Sequence, residues 1–418
     1  MGSKAHQSDL KALLLTREYP PEAYGGAGVH VDYLSRELAK LIPVEVRTFG
    51  AQAIRSGNLV VRGHRFAQTD LEDASEPHLL ALQAIRICVS FAASPVDADV
   101  VHCHTWYAQF GGLLAKILYG IPLVITTHSL EPLRPWKREQ LGRGADLSAW
   151  IEKTALEAAD AVVAVSKEMR RDILRYFNVA PEKVHVIGNG VDTDEYRPVR
   201  TRDHLDRYGI DPQRPYVLFV GRISRQKGIL HLLDAVLQLD PAAQVVLCAA
   251  SPDSADIAKE VEEAVRRVTA MRGGVIWIRE MVDRPTAIEL YSHAAVFCCP
   301  SIYEPFGIIN LEAMACETPV VASAVGGITE VVAHGETGYL VPLEQQAESP
   351  YEPVHPGRFS RDLAASISRL LADAPLRRAM GEKGRRRAEA LFSWRAIAHQ
   401  TLDLYRSLLG GEPGRRQG

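Results

Sequence analysis

Short apolar runs of strand length recur along the whole chain, separated by stretches with helical spacing, and half-way along the series starts again. The first series comprises 11–16 (KALLLT), 44–49 (VEVRTF), 99–104 (DVVHCH), 122–127 (PLVITT), 161–166 (AVVAVS) and 184–187 (VHVI). The second comprises 216–220 (YVLFV), 244–249 (QVVLCA), 275–278 (VIWI), 295–300 (AVFCCP), 319–323 (PVVAS) and 338–341 (GYLV). Each run is nearly continuous in Val, Ile, Leu and Ala, the pattern of parallel strands covered on both faces. Alternation with helices predicts an α/β chain of two Rossmann-like, doubly wound parallel-sheet domains. Residues 188–215, rich in Pro, Asp and Arg, read as the linker between them. Ligands of such folds bind outside the carboxyl ends of the strands, so the two sheets are expected to face each other across a cleft. In the tail, Trp394, Ile397, Leu402, Tyr405 and Leu409 recur at helical spacing.

Composition narrows the function. A formal net charge of −3 gives no footing for nucleic acid or an acidic membrane. No apolar run reaches the roughly 18 residues of a membrane-spanning helix. The start, MGSKAHQSDLKALLL, lacks the layout of a signal peptide. The six cysteines show no C-x-x-C spacing and read as small buried hydrophobes. A cytoplasmic location is expected.

Three loops carry the chemistry. In 16–31 (TREYPPEAYGGAGVHV), Gly25, Gly26 and Gly28 precede a helix. Glycines there either bring backbone N–H groups up to a phosphate or make a tight turn. In 220–230 (VGRISRQKGIL), Arg222 and Lys227 lie between a strand and a helix, bracketed by Gly221 and Gly228. Two cations there suit a diphosphate, the alternative being a solvated basic turn. In 301–320 (SIYEPFGIINLEAMACETPV), Gly307 opens a helix whose first N–H groups, at Gly307, Ile308 and Ile309, lack intrahelical partners. Those groups suit sugar hydroxyls or phosphate oxygens. Glu304 suits sugar hydroxyls and Glu312 a ribose diol, although acids also simply favour helix starts. The segment 324–330 (AVGGITE) adds a glycine pair. Asp97-x-Asp99 and Asp192-x-Asp194 spell a short acidic metal motif, but one precedes a buried strand and the other sits in the linker. His102 and His104 alternate on a strand with no carboxylate at metal spacing. No metal is expected. Arg385–Arg387 reads as a solvated helix face.

Arg222-x4-Lys227 followed by Glu304-x7-Glu312 resembles the retaining nucleotide-sugar glycosyltransferases of family 4, which have the GT-B fold. The resemblance covers nearly the whole chain, including 185–198 (HVIGNGVDTDEYRP). TREYPPEAYGGAGVHVDYLSREL, HCHTWYAQFGG and THSLEPLRPWKREQLG look like actinobacterial-type glycogen synthases, which use ADP-glucose and some of which make maltose 1-phosphate. The resemblance implies an acceptor-side domain over 1–195, a donor domain over 196–393, and a helix over 394–418 that packs back on the first. It implies that His128, Arg222, Lys227 and Glu304 are catalytic. It also implies that Gly26, Arg222, Lys227, Glu304, Phe306, Gly307, Ile308, Ile309 and Glu312 hold the donor, with His104 and Tyr24 on the acceptor side. No cofactor is implied beyond the nucleotide sugar, expected to be ADP-glucose. The implied reaction is α-1,4 transfer of glucose to an α-glucan, with glucose 1-phosphate or another acceptor as the alternative. The mechanism implied is front-face displacement, in which the departing phosphate takes the acceptor proton. Two departures from the starch-synthase branch fall on the acceptor side: Ala23-Tyr24-Gly25-Gly26 replaces Lys-Thr-Gly-Gly, and His104-Thr105-Trp106-Tyr107 replaces His-Asp-Trp-His.

Overall fold

The computed structural model describes residues 10–22, 25–65, 76–134, 136–346 and 351–410. The chain forms two compact units, Met1–Asn189 with Trp394–Gly418, and Gly190–Ser393.

The first unit holds an eight-stranded sheet built from β1 (Ala12–Leu15), β2 (Val44–Phe49), β3 (Ala53–Ser56), β4 (Leu59–His64), β5 (Val100–His104), β6 (Leu123–Thr127), β7 (Ala161–Ala164) and β8 (Val184–Val186). Its order is β3-β4-β2-β1-β5-β6-β7-β8. All neighbours are parallel except β3 with β4. The strands at the centre, β1, β5 and β6, are buried along their whole length, which explains their unbroken apolar sequence. The β3–β4 hairpin is absent from the sequence reading. Its edge strand is exposed throughout and carries no apolar stripe. The missed signal is the turn: Ser56 pairs with Leu59 around Gly57-Asn58, and Gly57 takes a φ of 55°.

The second unit holds a six-stranded parallel sheet of β9 (Tyr216–Arg222), β10 (Gln244–Ala250), β11 (Val275–Ile278), β12 (Val296–Cys299), β13 (Val320–Ser323) and β14 (Gly338–Val341). The order β11-β10-β9-β12-β13-β14 reverses direction between β9 and β12. In the first unit the reversal lies between β1 and β5. The loops that leave these strands therefore diverge and leave a crevice at each reversal. The three chemistry-bearing loops follow β1, β9 and β12.

Buried cations finish several helices. Arg47, fully buried, donates to the carbonyls of Phe91, Ser94 and Pro95 past the helix Glu76–Ala93. Arg272 does the same for Val236, Leu239, Asp240 and Ala243. Phe91 and Val236 lie in the last turns of their helices, and the other carbonyls belong to the segments that follow, so each guanidinium ties a helix end to the loop leaving it. Arg385 and Arg387 correct the reading of a solvated face. Arg385 Nη1 donates to Ala315 O at 2.6 Å and to Tyr196 O at 3.2 Å, and Arg387 donates to Val331 and Glu330 carbonyls at 2.9 and 2.8 Å. Only Arg386 of the three is exposed.

The units divide at Asn189/Gly190, six residues before the expected boundary. Residues 191–196 belong with the second unit because Val191 N–H bonds Phe392 O at 2.8 Å and Tyr196 is buried there. Nor are residues 188–215 a loose linker. They include the helix Asp203–Arg207, and Leu205 on it is buried. The helix Trp394–Leu409 lies in the first unit. Trp394 stacks on Tyr33 with centroids 5.6 Å apart, and the Tyr405 hydroxyl meets His102 Nδ1 at 2.6 Å. Of the expected stripe, Leu409 alone is exposed. All six cysteines are free and buried. Among the described residues no helix is long and apolar enough to cross a membrane.

Candidate active site

In the second unit, the sheet reversal brings the loops after β9 and β12 together. Arg222 is the last residue of β9 and forms an ion pair with Asp253, whose side chain is 8 % exposed. Lys227 closes the short turn Arg225–Lys227, capped by Ser224 Oγ, which accepts the Lys227 N–H at 3.3 Å. Its ammonium reaches Glu304 Oε2 at 2.6 Å, with the two side chains 16 % and 9 % exposed. The third cation of this loop, Arg225, is committed to Glu260 through two bonds of 3.1 and 2.7 Å. The two loops are joined directly, because Ile302 N–H donates to Gln226 O at 2.9 Å. Gly228, at φ 62°, permits the approach: a Cβ there would overlap the Pro300 carbonyl oxygen.

Glu304 is fixed from behind. Ser301 Oγ donates to its Oε2 at 3.3 Å, and its carbonyl accepts the Gly327 N–H at 3.0 Å. This is what the pair Gly326-Gly327 does. A Cβ on Gly326 would overlap Glu304 O, and one on Gly327 would press on Pro305 O and the Phe306 Cα. The glycines cradle the Glu304–Phe306 backbone. Gly307 caps the helix Ile308–Ala315 at φ 92°. The Phe306 ring is buried, edge-on to Phe392. Glu312 is buried on that helix, and Tyr291 donates its hydroxyl to Glu312 Oε2 at 3.0 Å. Burial pushes the Glu312 carboxyl above its ordinary range, against the pull of hydrogen bonds from Tyr291 and Tyr196. Neither tyrosine was singled out in the sequence, since each lies far from Glu312 along the chain.

In the first unit, the loop after β1 leads to Gly25, whose N–H donates to Glu18 Oε2 at 2.9 Å, and then to the helix Gly26–Ala39. Gly26 is exposed at its start. Tyr24 lies outside the described residues. Across the reversal, His104 ends β5 and His128 follows β6. His104 Nδ1 and His128 Nε2 share a hydrogen bond of 3.1 Å. His30 joins them from the helix Gly26–Ala39, with ring centroids 5.2 Å from His104 and 4.8 Å from His128. His30 Nδ1 meets Asn189 Oδ1 at 2.6 Å, and His102 is held by Tyr405 and by Thr126 Oγ1 at 2.7 Å. Burial drives all four imidazoles down, His30 to about 4 and His102 to about 3, so all are neutral at pH 7. The Nε2 atoms of His30 and His104 are buried without a hydrogen-bond partner in the protein. Between His104 and Trp106, Thr105 takes φ 65°, a strained conformation for a β-branched residue.

His30 entered no sequence-based candidate set, because a single histidine on a helix gives no signal until the fold brings it to the strand ends. With His104 and His128 it offers nitrogens within 4.8 Å of one another, a spacing open to a metal ion. The acidic pairs weighed as metal motifs have structural work instead. Asp99 accepts the Lys11 N–H at 2.9 Å and Asp97 pairs with Lys11 Nζ at 2.6 Å. Asp192 Oδ1 accepts the N–H groups of Asp194 and Glu195, both at 3.0 Å.

Comparison with known proteins bears on this arrangement. Residues 24–195 match the family described as Glycosyltransferase Family 4, and residues 201–351 match Glycosyl transferases group 1. The chain is 47 % identical over 403 residues to an alpha-maltose-1-phosphate synthase of Mycolicibacterium smegmatis, covering 96 % of this chain and 100 % of that protein. Among solved structures it is similar to a sucrose-phosphate synthase from Thermosynechococcus elongatus, with TM-score 0.78 and 27 % identity over 96 % of this chain and all of that one. It shares its fold with the catalytic domain of starch synthase IV from Arabidopsis thaliana, with TM-score 0.70 and 19 % identity over 96 % of this chain and all of that domain. Two parallel-sheet units, each with its candidate residues at the sheet reversal, and this near full-length similarity place the chain in glycosyltransferase family 4, with the GT-B fold.

Proposed function

We propose that the chain transfers glucose with retention from a nucleotide sugar, ADP-glucose, to glucose 1-phosphate, giving maltose 1-phosphate. The observation that carries the acceptor is the 47 % identity to an alpha-maltose-1-phosphate synthase along that protein's full length. Transfer to an α-glucan, placed first by sequence motifs alone, is less well supported by that similarity.

Arg222 and Lys227 sit where a diphosphate leaves, and their charges stabilise it as the anomeric C–O bond breaks. The acceptor 4-hydroxyl forms the new bond to the anomeric carbon and its proton passes to the departing phosphate. Glu304 is a poor nucleophile while Lys227 holds its Oε2 at 2.6 Å. Its part in this reading is to accept from hydroxyls of the transferred sugar, and His128 keeps the catalytic role that the family resemblance implies. The peptides of Gly307, Ile308 and Ile309 face the donor at a helix start. Gly26 opens the corresponding helix in the first unit.

The test is a matrix of ADP-, UDP- and GDP-glucose against glucose 1-phosphate, maltose and glycogen, with product masses, run in excess chelator. Maltose 1-phosphate from ADP-glucose is the expected product. Glucan extension without maltose 1-phosphate rejects the acceptor, and activity that returns only with added metal points to the histidine trio. For Glu312, glutamine should weaken donor binding about 10-fold and leave turnover at saturation within about 3-fold, because the ribose does not change during transfer. Melting should move little, since glutamine still accepts from Tyr291. Donor titration by calorimetry checks this, and unchanged affinity removes Glu312 from the ribose site.

A further inference from the structure

In the first unit two cations flank the ring of Tyr107 and a third stands nearby, and the donor chemistry uses none of them. Arg17, in the loop after β1, lies over Tyr107 with Cζ 4.1 Å from the ring centroid. Lys137 Nζ is 5.3 Å from the same centroid and 5.0 Å from that of Trp106. Arg134 lies in the same turn as Lys137, whose N–H it accepts on its carbonyl at 3.0 Å, and its charge acts on both Tyr107 and Lys137. Among the described residues no salt bridge joins Arg17 or Arg134 to a carboxylate. Arg134 Nη1 donates to Ser129 Oγ at 3.3 Å, and its Nε is buried with no partner.

The acids nearby are already engaged. Glu131 gives Oε1 to Lys137 Nζ at 2.9 Å and Oε2 to the Ser148 hydroxyl at 2.6 Å. Glu152 accepts the Glu131 N–H at 2.8 Å, and burial holds its carboxyl well above the ordinary value, favouring the uncharged acid. Glu18 accepts the Gly25 N–H. Stacking leaves the edge of the Arg17 guanidinium open to fork across two oxygens. Tyr107 lies in the first turn of the helix Trp106–Tyr119, where the helix dipole also favours an anion. It stands three residues beyond His104.

We propose that Arg17, Arg134 and the Tyr107 hydroxyl, backed by the buried Lys137, bind the phosphate of the acceptor sugar. The assignment rests on glucose 1-phosphate being the acceptor. It separates this chain from one that takes a neutral glucan end, which has no use for such charges.

Steady-state kinetics with glucose 1-phosphate as the varied substrate test it. Arg17→Gln and Arg134→Gln should each raise its KM about 10–100-fold, the range for a lost charge-assisted hydrogen bond, with the KM for ADP-glucose moving less than about 3-fold. Arg134→Lys should recover part of the loss, because charge returns without the fork. Unchanged KM for glucose 1-phosphate in both glutamine variants overturns the phosphate site and leaves the acceptor reading standing. A wild-type protein that ignores glucose 1-phosphate but extends a glucan overturns the acceptor reading and this site with it.

Discussion

Lys227→Ala should lower turnover at saturating donor about 100–1,000-fold, and Arg222→Ala should fall in the same range. The expectation has two parts for Lys227. On the proposed reading, the variant removes the cation assigned to the leaving diphosphate. It also strands the Glu304 carboxylate, only 9 % exposed, as an unpaired negative charge beside that place. Stranding one partner of an enclosed pair costs stability as well, about 3–5 kcal/mol. The double variant Lys227→Ala, Glu304→Gln separates the parts. Its melting temperature should return toward wild type while turnover stays low. Arg222→Ala leaves Asp253 in the same position, already with one oxygen lacking a partner. Turnover and melting measured together decide the matter, and near-wild-type turnover in either single variant removes that residue from the diphosphate site.

Gly326→Ala should destabilise the second unit by about 2–5 kcal/mol, summing the left-handed backbone cost and the overpacking cost. The glycine sits at φ 51°, and a Cβ there would overlap the Glu304 carbonyl oxygen. Neither side of that contact is a flexible side chain, so the Glu304 peptide has to move. Turnover should fall by about 100-fold for a displacement near 1 Å, even though Gly326 itself touches no substrate. Gly335→Ala is the control. Gly335 also has positive φ, 77°, but open space where the Cβ would go. It should show only the backbone cost, about 1–2 kcal/mol, with turnover intact. Equal turnover in the two variants would mean that the cradle does not position Glu304.

The sheets were legible because their central strands are buried on both faces, and burial of that kind leaves an unbroken apolar run in the sequence. The β3–β4 hairpin was not, because an exposed edge strand is under no such pressure. For the site, Arg222, Lys227, Glu304 and Glu312 stood out as charged residues set against apolar strand and helix. Their partners did not. Asp253, Tyr291 and Tyr196 are ordinary residues until the fold carries them there. The glycine pair at 326–327 was visible, but its use was not: the same two letters suit a phosphate cradle or a peptide cradle, and only the neighbour of the missing Cβ tells them apart. Arg385 and Arg387 read as surface for the complementary reason. An arginine that satisfies carbonyls far along the chain looks, in sequence, like one that meets water.

The first unit is closed by the helix Trp394–Leu409, with the whole second unit encoded in between. This sets an order of events on the ribosome. His102 emerges early, yet its partner Tyr405 lies 303 residues later. At roughly 5–20 residues per second, the nascent first unit waits about 10–40 s with the Trp394 and Tyr405 places on Tyr33, His30 and His102 unfilled. The second unit is continuous in sequence and has no such wait. The unit made first is therefore the one completed last, and in the interval its unfilled apolar surface is where a chaperone would bind the growing chain.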